Sequence, residues 1–222
     1  MEWTPIILSL KLALVTTVVL LVIGIPITYL LTEKKFLGRP ILESLISLPL
    51  VLPPTVLGFY LLVLLSPNQG LGLWLKTTFD IRLVFSFTGL VIGSVIYSLP
   101  FMIQPIQNGI NQLPKKLRES GYLLGFNTFK TYFQLLIPNA KRSVFTAIAL
   151  TFAHTMGEFG VVLMIGGNIP NETRVASISV FESVESLDYS SAHIYSLVLI
   201  AISFSILIFI NIWSNHSKLN YS

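Results

Sequence analysis

His154 and Glu158 stand four residues apart in an apolar stretch, a spacing that puts an imidazole and a carboxylate on one helix face. They can share a hydrogen bond there or start a metal site, but one histidine and one glutamate are too few ligands for an ion. Serine and threonine are plentiful in the apolar stretches. No Gly-x-Ser-x-Gly turn or paired carboxylates accompany them, which argues against an intramembrane hydrolase. The chain has no cysteine, so disulfides, thiolate nucleophiles and thiolate-bound metals are excluded. No Gly-x4-Gly-Lys-Ser/Thr loop is present, so any nucleotide chemistry belongs to another polypeptide. No resident metal or cofactor is implied.

The elements around these residues read as membrane. Of the 222 residues 53% are hydrophobic and 11% charged, with mean hydropathy +0.78, whereas soluble domains carry charge on about a quarter of their residues. Five stretches, at about 8–31, 41–65, 83–104, 144–166 and 195–213, approach or exceed the roughly 20 residues a helix needs to cross the hydrocarbon core. An all-α integral membrane protein with five spans follows. The first stretch lacks a basic lead-in and an A-x-A-like site, so it reads as a retained helix, bent near Gly24 and Pro26.

Charge sets the orientation. Lys34, Lys35 and Arg39 fall in one loop, Lys115, Lys116, Arg118, Lys130, Lys141 and Arg142 in a second, and Lys218 in the tail. The other side has Lys76, Arg82 and Arg174, with Lys11 near the first helix start, against Asp80, Glu172, Glu182, Glu185 and Asp188. The positive-inside rule therefore places the N-terminus outside and the C-terminus in the cytoplasm. Basic loops facing anionic lipid account for the net charge of +4 without nucleic acid.

Within the spans, Pro49, Pro53 and Pro54, followed by Thr55, cannot sit in a regular ladder and free carbonyls that need other partners. That is a kinked packing helix or, as broken helices often are, part of a transport pathway. Gly157-Glu158-Phe159 is the second irregular point. Glu158 lies about 14 residues from the cytoplasmic start of its span, roughly 21 Å at 1.5 Å per residue. An ionisable group at that depth is a functional suspect. Residues 66–82 suit a turn and an interfacial piece around Trp74. The Asn168–Arg174 loop, with Pro170 inside it, is an exposed connection or a docking site for an incoming partner.

Residues 105–143 form a basic polar island between two apolar segments. Leu113-Pro114-Lys115 opens a helix with proline in its first turn. Leu117, Tyr122, Leu123 and Leu124 supply one apolar face, and the small pair Ser120-Gly121 permits a partner's close approach. Gly125 breaks this helix, and Asn127 or Thr128 caps a second that runs to Pro138. The island is either a surface-lying amphipathic linker or a docking element.

Glu119-Ser120-Gly121, then three residues, Gly125, nine residues and Leu135-Leu136-Ile137-Pro138 resembles the "EAA" signature of ABC importer membrane subunits. Leu48–Gly58 and Gly157–Pro170, continuing to Thr173-Arg174, resemble the corresponding segments of molybdate permeases. Sulfate and tungstate permeases share looser versions. Pro53-Pro54 and Val184–Tyr189 favour molybdate, and the resemblance covers nearly the whole chain. Ser120 and Gly121 replace the signature's usual alanines, with Gly121 weakening its helix by roughly 1 kcal/mol.

The resemblance implies a type I ABC importer permease fold in a bacterial cytoplasmic membrane, as a homodimer with the pathway on its shared axis. It further implies two copies of a cytoplasmic ATPase, coupled through Glu119, Ser120, Gly121, Gly125, Ile137 and Pro138, and a periplasmic or surface oxyanion-binding protein above. Pathway or gate candidates are Pro49, Pro53, Pro54, Thr55, Gly157, Glu158 and Phe159. Docking candidates for the binding protein are Asn168, Pro170 and Arg174. A carboxylate facing an oxyanion would repel it, so Glu158 is expected to bond backbone amides or be protonated, in a structural role. Glu158→Gln should leave the complex assembled and transport at least partly intact. Complete loss of uptake with normal assembly would instead give this carboxyl a gating role.

Overall fold

The computed structural model describes residues 2–216, and helices with short connections make up all of them, with no strand. Lys218, counted among the tail's basic residues, lies outside this range. Three helices are long and apolar enough to cross a membrane alone: α1 (Thr4–Glu33), α5 (Phe87–Asn111) and the Tyr189–Ile210 part of α12 (Tyr189–His216). Two bent helix pairs are candidates for a fourth and a fifth span, each being either one broken span or a re-entrant loop. One joins α2 (Arg39–Ser47) and a 3-10 turn, Leu48–Leu50, to α3 (Pro54–Leu65) with a 112° bend. The other joins α9 (Lys141–Gly157) to α10 (Gly160–Gly166) with a 59° bend.

Prolines act differently along this chain. At 53–54 they end one helix and start the next, because Pro53 is extended and Pro54 takes the first helical position, where a missing N–H costs nothing. Pro26 sits inside α1, which runs unbroken from Thr4 to Glu33. Pro100 and Pro105 lie inside α5, which continues to Asn111, past the expected end of its span. The expected island thus shortens to residues 112–140. Between the crossings, α4 (Gly70–Phe79) spans only about 15 Å and exposes Trp74 against the edge of Phe79, as an interfacial piece should.

The centre is a bundle of α1, α5 and α9. Leu20, Met102, Ile106, Ile110 and Ala147 are buried there together with Tyr132, Leu136 and Ala140 from the island. The island is therefore packed onto the bundle's end and does not lie loose on a surface. A second core at the other end joins Leu8 and Leu12 of α1 to Leu90, Val162, Val175 and Ile178. There α11 (Ala176–Glu185) packs beside α12.

Candidate functional site

The island consists of α6 (Lys115–Leu123), α7 (Thr128–Thr131), a π-helical turn at Tyr132–Leu136 and the short α8 (Ile137–Asn139). Gly125 ends α6 at φ +77°. Its N–H donates to Tyr122 O and that of Phe126 to Gly121 O, both at 3.0 Å, a Schellman closure that consumes the helix's last carbonyls. Asn127 then caps α7, its Oδ1 accepting from Lys130 N at 2.8 Å.

This turn reverses the chain and exposes Tyr122, Leu123, Leu124 and Phe129, with Leu123 89% accessible. Leu117 instead turns inward to the core. Glu119 and Ser120 are exposed, and Ser120 donates back to Leu117 O. Gly121 is not available to a partner, as its type had suggested. It is buried against α7, where an added Cβ would lie 2.8 Å from Thr131 Oγ1 and 2.9 Å from Leu135 Cδ1. Ile137 is half-buried and Pro138 exposed.

Two residues of the island reach α1. Tyr132, fully buried, lies 2.6 Å from Thr28 Oγ1 and donates to Ile25 O at 3.1 Å. Burial, and less strongly the nearby Glu33 carboxylate, push its phenol up to about 12 despite the opposing Thr28 bond. It is thus a neutral donor at physiological pH. Arg118 donates to Glu33 Oε1 through Nε at 3.2 Å and Nη2 at 2.9 Å.

The two irregular points expected in the spans meet in space. Gly160, beside the 158–159 break, faces the 53–54 break so closely that an added Cβ would lie 2.7 Å from Pro54 Cβ and 3.2 Å from Thr55 N. One turn on, Gly58 does the same against Met164 and Val161. Small residues allow such close backbone approach where helices pack in lipid. Pro49 is buried, while Pro53 and Thr55 are exposed. Phe159 rests on Phe181 with ring centroids 5.0 Å apart.

The His154–Glu158 pairing does not form. Helix α9 ends at Gly157 and Glu158 is extended (φ −65°, ψ 130°), so the shared helix face is lost. His154 Nδ1 instead pairs with Ser98 Oγ at 3.1 Å, and its ring stacks on Phe101 at 3.9 Å. Glu158 is 4% exposed and neither carboxylate oxygen has a hydrogen-bond partner among the described residues. The expected bonds to backbone amides are therefore absent. Its carbonyl, freed by the break, accepts from Ser177 Oγ at 2.6 Å.

On the opposite face, Arg174 Nε donates to Asn168 Oδ1 at 2.7 Å and Nη1 lies 3.0 Å from Glu182 Oε2. Two of the three docking candidates thus hold each other, and Pro170 remains exposed beside them. Thr173, quoted in the sequence only as part of the resemblance and given no role there, staples this loop by accepting from Ile169 N and donating to Gly166 O. Sequence reasoning passed over Glu33 and Tyr132. A carboxylate closing a 30-residue apolar helix was the available signal for the first.

Residues 21–218 match the family of binding-protein-dependent transport system inner membrane components. The chain belongs to this family. It is 44% identical over 200 residues to the molybdenum transport system permease protein of Azotobacter vinelandii, covering 90% of this chain and 88% of that one. It is 32% identical to the sulfate transport system permease protein of Escherichia coli, covering 86% and 68%. Among solved structures it resembles a bacterial alginate ABC transporter in complex with an alginate pentasaccharide-bound periplasmic protein. That likeness has a TM-score of 0.75 at 16% identity and covers 96% of this chain and 78% of that one. An amino acid ABC transporter gives 0.66 at 16%, covering 96% and 92%. At such identities the structures establish the fold, a multi-pass ABC permease fold.

In this member of the family the apposed breaks are the tightest test of the architecture. Gly160→Ala should cost about 1–3 kcal/mol, as overpacking against a rigid ring and backbone does. Gly157→Ala, which meets nothing within 4 Å, should not. Thermal midpoints of the two variants, purified in detergent, check the contrast.

Proposed function

We propose that this chain is the permease subunit of an ATP-driven importer that moves molybdate across the bacterial cytoplasmic membrane by alternating access. It is not itself an enzyme. The observation that carries the cargo assignment is the 44% identity to a molybdenum permease over nine-tenths of both chains. Sulfate permease relatives reach 28–32% and are covered over only 66–79% of their length.

In this reading residues 1–222 form one permease domain, two copies of which line a common pathway. The basic face is cytoplasmic, by the excess of Lys and Arg in its loops. Two ATPase subunits dock there on the island. Its exposed Tyr122, Leu123 and Leu124 suit an apolar cleft, Glu119 and Ser120 flank them, and Gly121, Gly125, Ile137 and Pro138 set the loop's shape. Above, a periplasmic binding protein delivers the oxyanion to the side that carries Asn168, Pro170 and Arg174.

A tetrahedral dianion needs donors to enter a membrane, yet strong sites would trap it, so weak multiple contacts are required. The serine and threonine hydroxyls of the spans meet that need, and selection falls to the binding protein. Pro49, Pro53, Pro54, Thr55, Gly157, Glu158 and Phe159 form the moving part, because both helix breaks lie there in contact. Closure of the ATPase pair biases this hinge between two states.

Proteoliposomes carrying the permease and ATPase, supplied with binding protein, should take up molybdate only with ATP inside the ATPase compartment. Preference for sulfate or tungstate would reassign the cargo. Uptake driven by an ion gradient without the ATPase would overturn the importer reading.

A further inference from the structure

Helix α1 is fastened by polar bonds at both ends. At 30 residues it is about 45 Å long, against a hydrocarbon core of roughly 30 Å, so it is long enough to reach from one face of the core to the other with residues to spare. At the basic face its last residue, Glu33, is paired with Arg118 of α6, and the Glu33 side chain is only 4% exposed. One turn deeper, Tyr132 clamps Thr28 and Ile25, and the Tyr29 ring packs among Phe129, Tyr132 and Phe133.

At the opposite face, the Tyr195 hydroxyl of α12 accepts from Glu2 N at 3.1 Å and donates to Glu2 O at 3.0 Å. Ser9 Oγ accepts from Ala176 N, the first residue of α11, at 2.8 Å. These contacts join segments distant in sequence, and all fall on one continuous helix except the Tyr195 pair, which holds Glu2 just ahead of its first turn. Displacement of α6 relative to the bundle therefore either breaks the Glu33–Arg118 pair or moves α1. A buried carboxylate deprived of its partner is strongly disfavoured, so α1 follows.

We infer that α1 is a rod that transmits movement of the island to α11 and α12 on the opposite face. Arg118 and Glu33 are the positioning residues that make the joint, and Tyr132 is its second fastening. Neither end of the joint needs to touch cargo or nucleotide. The inference rests on the proposed importer function, and wild-type uptake measured in the same vesicles reports on that function separately.

The test uses the complete complex of permease, ATPase and binding protein in proteoliposomes, with Arg118→Glu, Glu33→Arg and the double exchange. Assembly is read by co-purification, hydrolysis by phosphate release, and coupling by molybdate taken up per ATP hydrolysed. Each single variant should still hydrolyse ATP but lose about tenfold in uptake per ATP, within the roughly 5–150-fold range of coupling between sites. The exchange should restore most of that loss.

A merely structural pair would lower the amount of complex without changing the ratio. An unchanged ratio in either assembled single variant, or an exchange no better than the singles, overturns the inference. If a single variant does not assemble, Tyr132→Phe decides. It keeps the ring contacts and removes the hydroxyl, so a several-fold fall in the ratio supports the rod and an unchanged ratio overturns it.

Discussion

A hydrocarbon interior offers no water to a backbone carbonyl or amide, so a chain can depart from helix there only where protein supplies the missing partners. The two departures in this protein obey that constraint by meeting. The break at 158–159 leaves the Glu158 carbonyl to Ser177, and the break at 51–53 restarts on prolines that need no N–H acceptor. Gly160 lets the two come together at backbone distance. The contact covers Pro54 and the Thr55 amide, while Val51, Pro53 and Thr55 keep an exposed side.

The same accounting governs the island. Its turn is closed by a Schellman pair at Gly125 and by the Asn127 cap, so the exposed apolar tip is carried on a turn whose polar groups are satisfied. A π-helical turn rotates Tyr132 into the core, where its hydroxyl finds Thr28 and Ile25. Single-turn π insertions recur at functional sites because they redirect a side chain without ending the helix. Here the redirected residue joins the membrane-face loop to the first span.

Much of this was legible in the sequence because it is local. Gly125 as a stop and Asn127 as a cap depend on near neighbours, and the structure has both where expected. What was not legible depends on tertiary contact. Gly121 looked like a partner-facing small residue, but Thr131 and Leu135, ten and more residues on, turn it inward. Arg118 and Glu33 are 85 positions apart and no local pattern pairs them. The His154–Glu158 expectation failed because the flanking glycines of Gly157-Glu158-Phe159-Gly160 end a helix that the four-residue spacing had assumed to continue. The span expected to end at 104 instead continues to Asn111, with Pro100 and Pro105 carried inside α5.

In the proposed importer the tip of the island enters an ATPase. Because the chain contains no cysteine, one introduced at Leu123 is a unique chemical probe, and one at Leu73 of α4 serves as a control on the opposite face. With a cysteine-reactive bifunctional reagent and the assembled complex in membranes, the account predicts a covalent adduct between Leu123→Cys and the ATPase subunit, and none from Leu73→Cys. A transport-competent complex in which Leu123→Cys gives no ATPase adduct would contradict it.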